Sequence, residues 1–326
     1  MALNTILGGA ILVSGQVRRL AMAQWDVFSS RPLEGNSLAV FFDGRGLSDA
    51  EMQSIAKEMN LSETTFILPR DRDGDAAAGQ TEMERERGVR VRIFTVQEEL
   101  PFAGHPTLGT AFALRGQTGA REVKLNLNVG TVPVRFEDGA GQSVFAEMTQ
   151  MDPVFGSSHS REAVAQATGL RVEDFDDSVP IQTVSTGLPY TVTPLKSLAV
   201  MQNLRLDMNR AAEYLAKTDG KFFYFVTRET EDREARLHAR MLFYNGEDPA
   251  TGSAAGCTAA WMVAHGVAKP DEHVMIEQGL EMKRPSRIFV RASRKDNLEN
   301  TRDNNRIVNV RVGGNAVEVL RGEVFL

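Results

Sequence analysis

The segments HPTLGTA, from His105 to Ala111, and DPATGSA, from Asp248 to Ala254, are variations on one pattern, opened by a histidine in the first copy and by an aspartate in the second. A Pro/Thr/Gly/Ala-rich segment that opens a helix leaves unpaired N–H groups in its first turn, and its small residues admit a close neighbour or ligand there. Together with the positive end of the helix dipole this makes an anion site. If the two copies face one another, a carboxylate is held between two helix N-termini, with His105 on one side and Asp248 on the other. Glu63, in NLSETTF, opens an apolar strand-like run where an acid is out of place by propensity. Taken singly, each of the three also has an ordinary structural use. Glu63 suits a surface or helix end, His105 a hydrogen-bonded structural position, and Asp248 a turn or N-cap.

The elements that would position these residues are readable from periodicity. Residues 1–21 are expected to be a poorly ordered leader, with regular structure beginning near Met22. AQWDVFSS reads as a strand and GNSLAVFFD as a turn leading into an apolar segment. LSDAEMQSIAKEMN reads as a helix with Ser48 as N-cap and Glu51 at the third position beyond it. ETTFILP and GVRVRIFT read as strands, and the charged run TEMERERG between them as a hairpin tip or solvated edge. HPTLGTAFALRG reads as a helix ending at Gly116, and SREAVAQATGL as one capped by Ser160 and closed by Gly169. The order then recurs through PIQTVSTGLPYTVTPL, DMNRAAEYLAK, GKFFYFVTR, ARLHARMLFYN and the small-residue helix DPATGSAAGCTAAWMVAHG. PSRIFVRAS and RIVNVRVGGNAVEVLRGEVFL read as a closing antiparallel meander with a turn at Gly313-Gly314-Asn315, and RKDNLENTRDNN as a loop.

This is an internal duplication, loosely Gly35–Ala113 against Gly187–Met262, that overlays His105 on Asp248 and Gly109 on Gly252. A repeat this long predicts two similar domains facing each other across a cleft, the first over 22–150 and the second over 151–326, with the C-terminal strands free to pack on the first. Clefts between domains are preferred places for small-molecule sites.

Composition narrows the function. The net charge of −6 is spread along the chain, without the clustered basic stripe of a nucleic-acid binder. No apolar run approaches the roughly 20 residues needed to span a bilayer, so no membrane partner is expected. The single cysteine, Cys257, excludes an intramolecular disulfide framework and fits a cytoplasmic address. The five histidines show no His-x-x-x-His spacing, so no metal site is expected, and no phosphate-loop or dinucleotide fingerprint occurs.

DVF, GNSLAVF, NLSETTF, RIFTVQEELPFAGHPTLGTA, EDPATGSAAG and QGLEMKRPSRI occur in this order, from about residue 22 to the C-terminus. Together they resemble the phenazine biosynthesis PhzF-like family, which shares the diaminopimelate epimerase-like fold. The resemblance implies an α+β fold of two pseudo-symmetric domains, each a curved, mostly antiparallel sheet wrapped around a central helix, with the active site between them. It implies catalysis without metal or organic cofactor, and a homodimer. The family's acid/base glutamate falls on Glu63, its site histidine on His105 and its site aspartate on Asp248. Ser62, Gly104, Gly252 and Ser253 match substrate-lining positions, as does Asn36 more weakly; Lys283 departs from the smaller residue often found at its place. Related epimerases use two facing cysteines, which a chain with Cys257 alone does not supply. The expected function is a cofactor-independent isomerase that moves a proton between carbons of a small carboxylate-bearing substrate. A non-catalytic binding protein on the same fold and a cysteine-free epimerase are the alternatives.

Overall fold

The computed structural model describes residues 17–69, 82–138, 144–243, 246–295 and 306–326. The first half runs β1 (Arg19–Val27), β2 (Asn36–Phe41), α1 (Asp49–Met59), β3 (Glu63–Leu68), α2 (Glu82–Arg87), β4 (Val89–Phe94), β5 (Glu99–Leu100), α3 (Gly104–Thr118), β6 (Glu122–Leu127), β7 (Gly130–Asp138) and β8 (Val144–Thr149). The second runs β9 (Val154–His159), α4 (Arg161–Thr168), β10 (Ile181–Ser185), β11 (Pro189–Pro194), α5 (Leu198–Gln202), α6 (Met208–Leu215), β12 (Phe222–Thr227) and β13 (Ala235–Phe243). It continues with β14 (Gly246–Asp248), α7 (Gly252–Ala264), β15 (Val274–Gln278), β16 (Ser286–Arg294), β17 (Ile307–Gly314) and β18 (Ala316–Phe325).

The two halves repeat one pairing scheme. β1–β2 is antiparallel, β2–β3 parallel and β3–β4 antiparallel; β4 takes β5 antiparallel and β6 parallel; β6–β7 and β7–β8 are antiparallel. β10 to β17 repeat those relations in the same order. β8 pairs antiparallel with β17 and joins the halves. The first half is completed by β18, which crosses from the second to pair with β1, and the second by β9, which pairs with β10 directly after the chain leaves β8.

Each curved sheet closes around one helix. α3 is buried at every residue from Gly104 to Ala113, and α7 from Gly252 to Val263. A helix apolar or small on all sides belongs inside a core, and its small residues let strands approach from every direction. α1 has the expected capping box: the Ser48 hydroxyl accepts from the Glu51 N–H while the Glu51 carboxylate accepts from the Ser48 N–H. α4 likewise has Ser160 as N-cap and Gly169 as C-cap.

Several expectations are corrected. Among the described residues regular structure begins at Arg19, ahead of the expected Met22, because β1 gains a partner in β18 over its whole length. The charged run contains α2: its acids, Glu82 and Glu84, lie in the first turn and its bases, Arg85 and Arg87, in the last, which complements the helix dipole. α3 continues past Gly116 to Thr118, where Gly119, at φ 68°, supplies the left-handed cap. The closing strands do not form a continuous meander. β17 lies between β16 and β8, the chain passes Asn315, and β18 leaves for β1. The expected loop over 296–305, and the leader over 1–16, lie outside the described residues.

The repeat is also out of register. β5 ends at Leu100 and α3 starts at Gly104, while β14 ends at Asp248 and α7 starts at Gly252. The spatial counterpart of Gly252 is therefore Gly104, that of Ser253 is His105, and that of Asp248 is Leu100.

A buried ion-pair network fastens the second sheet. His238 of β13 places Nδ1 2.8 Å from Glu277 and Nε2 3.0 Å from Glu281. Burial works against its charge, but the hydrogen bonds and charges of both carboxylates outweigh it and raise its pKa to about 9. The folded protein thus holds a proton that the unfolded chain releases near pH 6.5. Its contribution is complete below pH 6.5 and is lost as pH rises through 9, amounting to about 3 kcal/mol. Denaturant unfolding measured across that range should show the decline in the wild type, and His238→Gln should flatten it.

Candidate active site between two helix N-termini

The starts of α3 and α7 abut. A Cβ built on Gly104 would lie 2.3 Å from the Ser253 nitrogen and 2.4 Å from the Gly252 carbonyl carbon, so only glycine permits this approach. Neither helix receives a side-chain hydrogen bond from its N-cap, Ala103 or Thr251, and neither has an acid in its first turn. The Thr251 hydroxyl is turned to Asp248 Oδ2, at 2.6 Å. The leading N–H groups of both helices thus converge on one place.

Three strand heads bring the reactive groups there. Glu63 opens β3, Asn36 opens the neighbouring β2, and Asp248 closes β14. Glu63 Oε2 lies 3.4 Å from His105 Nδ1. The Asn36 amide nitrogen lies 2.6 Å from Asp248 Oδ1, 2.9 Å from the Ala250 carbonyl and 3.1 Å from His105 Nδ1. The Ser62 hydroxyl also hydrogen-bonds Asp248. Glu63, His105 and Asp248 are all buried. Together with Gly104, Gly252 and Ser253 they line one cavity of about 10 Å³, room for about one water molecule. The rest of its wall is mainly apolar and aromatic, with Leu100, Tyr190, Phe222, Met241 and Phe243, and includes Thr95 and Thr251.

Three polar neighbours carried no signal of their own in the sequence. Tyr190 places its hydroxyl 2.8 Å from the Ser253 hydroxyl. Gln278 donates to the Asp248 carbonyl at 2.7 Å and accepts from the Thr251 N–H at 3.1 Å, which fixes the backbone before α7. Thr251 lies within DPATGSA, so its motif was visible while its role as a hydrogen-bond donor was not. Cys257 is buried within α7, and burial pushes its thiol up to about 11.

Burial distributes the protons. It raises the Glu63 carboxyl well above its usual range, and the nearby negative charge of Asp248 adds to the effect. It also raises Asp248, which hydrogen bonds from Thr251, Ser62 and Asn36 draw back, leaving it at about 6. His105 falls to about 3, burial outweighing its hydrogen bond with the Ser37 backbone. Of the two carboxyls, Asp248 is therefore the better stabilised in its charged form and Glu63 the one pushed toward protonation, while burial favours the neutral form of His105. Glu63 Oε2 and His105 Nε2 are buried without a hydrogen-bond partner, an unusual cost outside functional sites.

The donor atoms of Glu63, His105 and Asp248 all lie within 4.8 Å of one another, close enough to ligate one cation. Their surroundings suit protons better. Hydrogens of Asn36 and Thr251 already face the Asp248 oxygens, and the Asn36 amide faces His105 Nδ1, so an entering cation would meet donor groups.

An uncharacterized isomerase of Mesorhizobium japonicum is 37% identical over 317 residues, covering 93% of this chain and 97% of its own. The trans-2,3-dihydro-3-hydroxyanthranilate isomerase of Pseudomonas aeruginosa is 34% identical over 306 residues, covering 92% and 98%. A solved structure of a predicted epimerase from P. aeruginosa superposes with a TM-score of 0.76 at 35% identity, over 94% of this chain and 99% of that one. Fold and relatives together define an isomerase built on the pseudo-symmetric α+β architecture of the epimerases. The family model described as phenazine biosynthesis-like protein matches residues 25–322, and the chain belongs to that family. Among the described residues no helix is long and apolar enough to cross a membrane.

Gly104→Ala should force the two helix starts apart. A cost of about 1–3 kcal/mol is expected from the overpacking, read as a lower denaturant midpoint, together with a loss of turnover larger than the loss of folded protein.

Proposed function

We propose that this isomerase moves a proton between two carbons of a small, conjugated, carboxylate-bearing substrate, without metal or organic cofactor. The observation that carries the reading is the buried Glu63–His105 contact of 3.4 Å, set beside Asp248 between two uncapped helix N-termini. In its carboxylate form Glu63 takes a proton from an activated carbon. The electron pair left behind spreads into the conjugated system, and the proton returns to a different carbon, which restores Glu63. His105 and Asp248 relay protons, each accepting one before passing it on, while the N–H groups at Gly104, Gly252 and Ser253 bind the substrate carboxylate. Ser62 and Asn36 hold Asp248 in its charged form.

The substrates named for the Pseudomonas relatives are ring carboxylates, and the aromatic wall of Phe222, Phe243 and Tyr190 suits a ring face. We place this chain's substrate in that class. A ring does not fit a cavity of about 10 Å³, so binding requires the walls to separate. In this reading the enzyme is cytoplasmic, works as a homodimer, and binds neither nucleic acid nor membrane.

Because burial raises the Glu63 carboxyl, kcat/KM should rise with pH through a limb lying well above 4.5, the ordinary value for this group. Glu63→Gln should lower kcat by about 10²–10⁴-fold while leaving the thermal transition in place. Incubating ring carboxylates in heavy water should incorporate deuterium at carbon in the wild type and not in Glu63→Gln. Tight binding without exchange across such a panel would instead identify a binding protein.

A further inference from the structure

Asn36 and Asp248 come from different halves of the molecule, yet their contact is only 2.6 Å long. The segment from Gln278 to Ser286 touches both sides of it. On the Asp248 side, Gln278 donates to the Asp248 carbonyl at 2.7 Å and the Ser286 hydroxyl donates to the Pro249 carbonyl at 2.9 Å. On the Asn36 side, Arg284 reaches the turn between β1 and β2. Its Nε donates to the Gly35 carbonyl at 2.8 Å, and one terminal nitrogen lies 2.8 Å from both Asp26 Oδ1 and the Glu34 carbonyl. The clasp is mutual, since the Gly35 N–H donates to the Pro285 carbonyl at 3.1 Å.

Asp26 is the other centre of this arrangement. It is 1% exposed, and its Oδ2 accepts from the Leu33 N–H at 2.6 Å while Oδ1 accepts from the Ser37 hydroxyl at 2.9 Å. The turn it organises holds Phe28, Leu33 and Gly35 at φ 65°, 69° and 67°. For non-glycine residues such angles persist only where surrounding contacts over-determine them. The turn delivers Asn36, which faces both Asp248 and His105, and Ser37, whose backbone hydrogen-bonds His105.

We infer that Arg284 and Asp26 are positioning residues: paired across the two halves, they hold the turn that presents Asn36 to Asp248 and His105. Neither touches the cavity, so they act through Asn36. The functional importance of this placement rests on the proposed role of the Glu63–His105–Asp248 cluster, whereas the placement itself can be tested without turnover.

The test follows the titration of Asp248 in the free protein by carbon NMR of labelled aspartate carboxyls, with the resonance assigned by its loss in Asp248→Asn. The ionisable groups facing Asp248 are Glu63 from β3, His105 from α3, Glu247 from β14, Tyr190 from β11 and Tyr224 from β12. All of these are kept in the variants. Losing the Asn36 donor disfavours the charged carboxylate, so Arg284→Met should move the Asp248 midpoint upward by about 1 unit. Arg284→Lys, which keeps the charge but not the fork of donors, should move it less. Arg287→Met is the control, since that side chain pairs with Asp232 and Glu234 at the surface and should leave the midpoint in place. With a ring carboxylate that the wild type turns over, kcat of Arg284→Met should fall at least about tenfold with KM little changed.

An unmoved midpoint in Arg284→Met would overturn the inference, as would an equal shift in Arg287→Met. If Arg284→Met fails to fold, Arg284→Lys decides by the same readout. Absence of turnover in the wild type would count against the proposed function, and the titration would still judge the positioning.

Discussion

The whole site depends on two helices meeting start to start. Helix N-termini ordinarily repel, since each carries a partial positive charge and a set of unpaired N–H groups. Here the α3 and α7 starts approach until a single methyl group at Gly104 would collide with the backbone of Ser253. What lies around them is negative or able to become so: Asp248 beside α7, and Glu63 beside the first turn of α3. The sheets supply the force that holds this arrangement. Each wraps one helix almost completely, and the β8–β17 pair together with β18, which crosses to β1, lock the two wrapped helices in place.

Burying two carboxylates and an imidazole in so small a space leaves one arrangement of protons cheaper than the others. Asp248 has three hydrogen-bond donors, Thr251, Ser62 and Asn36, so it holds the charge. Glu63, buried and set against the same charge, is pushed toward its protonated form. A group pushed toward protonation by burial and by a neighbouring charge responds to any change in either, such as an arriving substrate carboxylate. The second half contains a contrasting case in His238, which is equally buried and yet charged because two carboxylates face it. Burial alone therefore decides neither outcome; the partners do.

Duplication built the frame, and divergence within it made the site. In the spatial register, His105 stands where the other half has Ser253, Asp248 where the first half has Leu100, and Glu63 heads β3 where Phe222 heads β12. At each matched position one half carries an ionisable side chain and the other an apolar group or a hydroxyl. The result is a pocket with acid/base groups at its centre and Leu100, Phe222 and Phe243 in its wall.

Much of this was legible in the chain itself. The 3.6-residue period and Ser48/Glu51 box of α1, the two-residue alternation of β4, and the small-residue helices are local signals, and local propensity decides such elements directly. The doubled HPTLGTA and DPATGSA segments disclosed two matched helix starts, and ordered motifs disclosed the family. Other features left no local trace. The short, exposed β9 exists because β10 offers it a partner. The charged run carrying α2 looked like a surface edge until Glu84 was buried. The overlay of His105 on Asp248 followed similar letters, whereas the true register follows where strands end and helices begin. Tyr190, Gln278, Arg284 and Asp26 became part of the site's surroundings only through contacts between segments far apart in sequence. Sequence by itself determined most of the elements, the repeat and the candidate side chains for the proposed chemistry, because those depend on neighbours along the chain. Only the tertiary structure decided which groups meet, which of them keeps the proton and what holds them there, because burial and long-range hydrogen bonds exist only once the two sheets have closed.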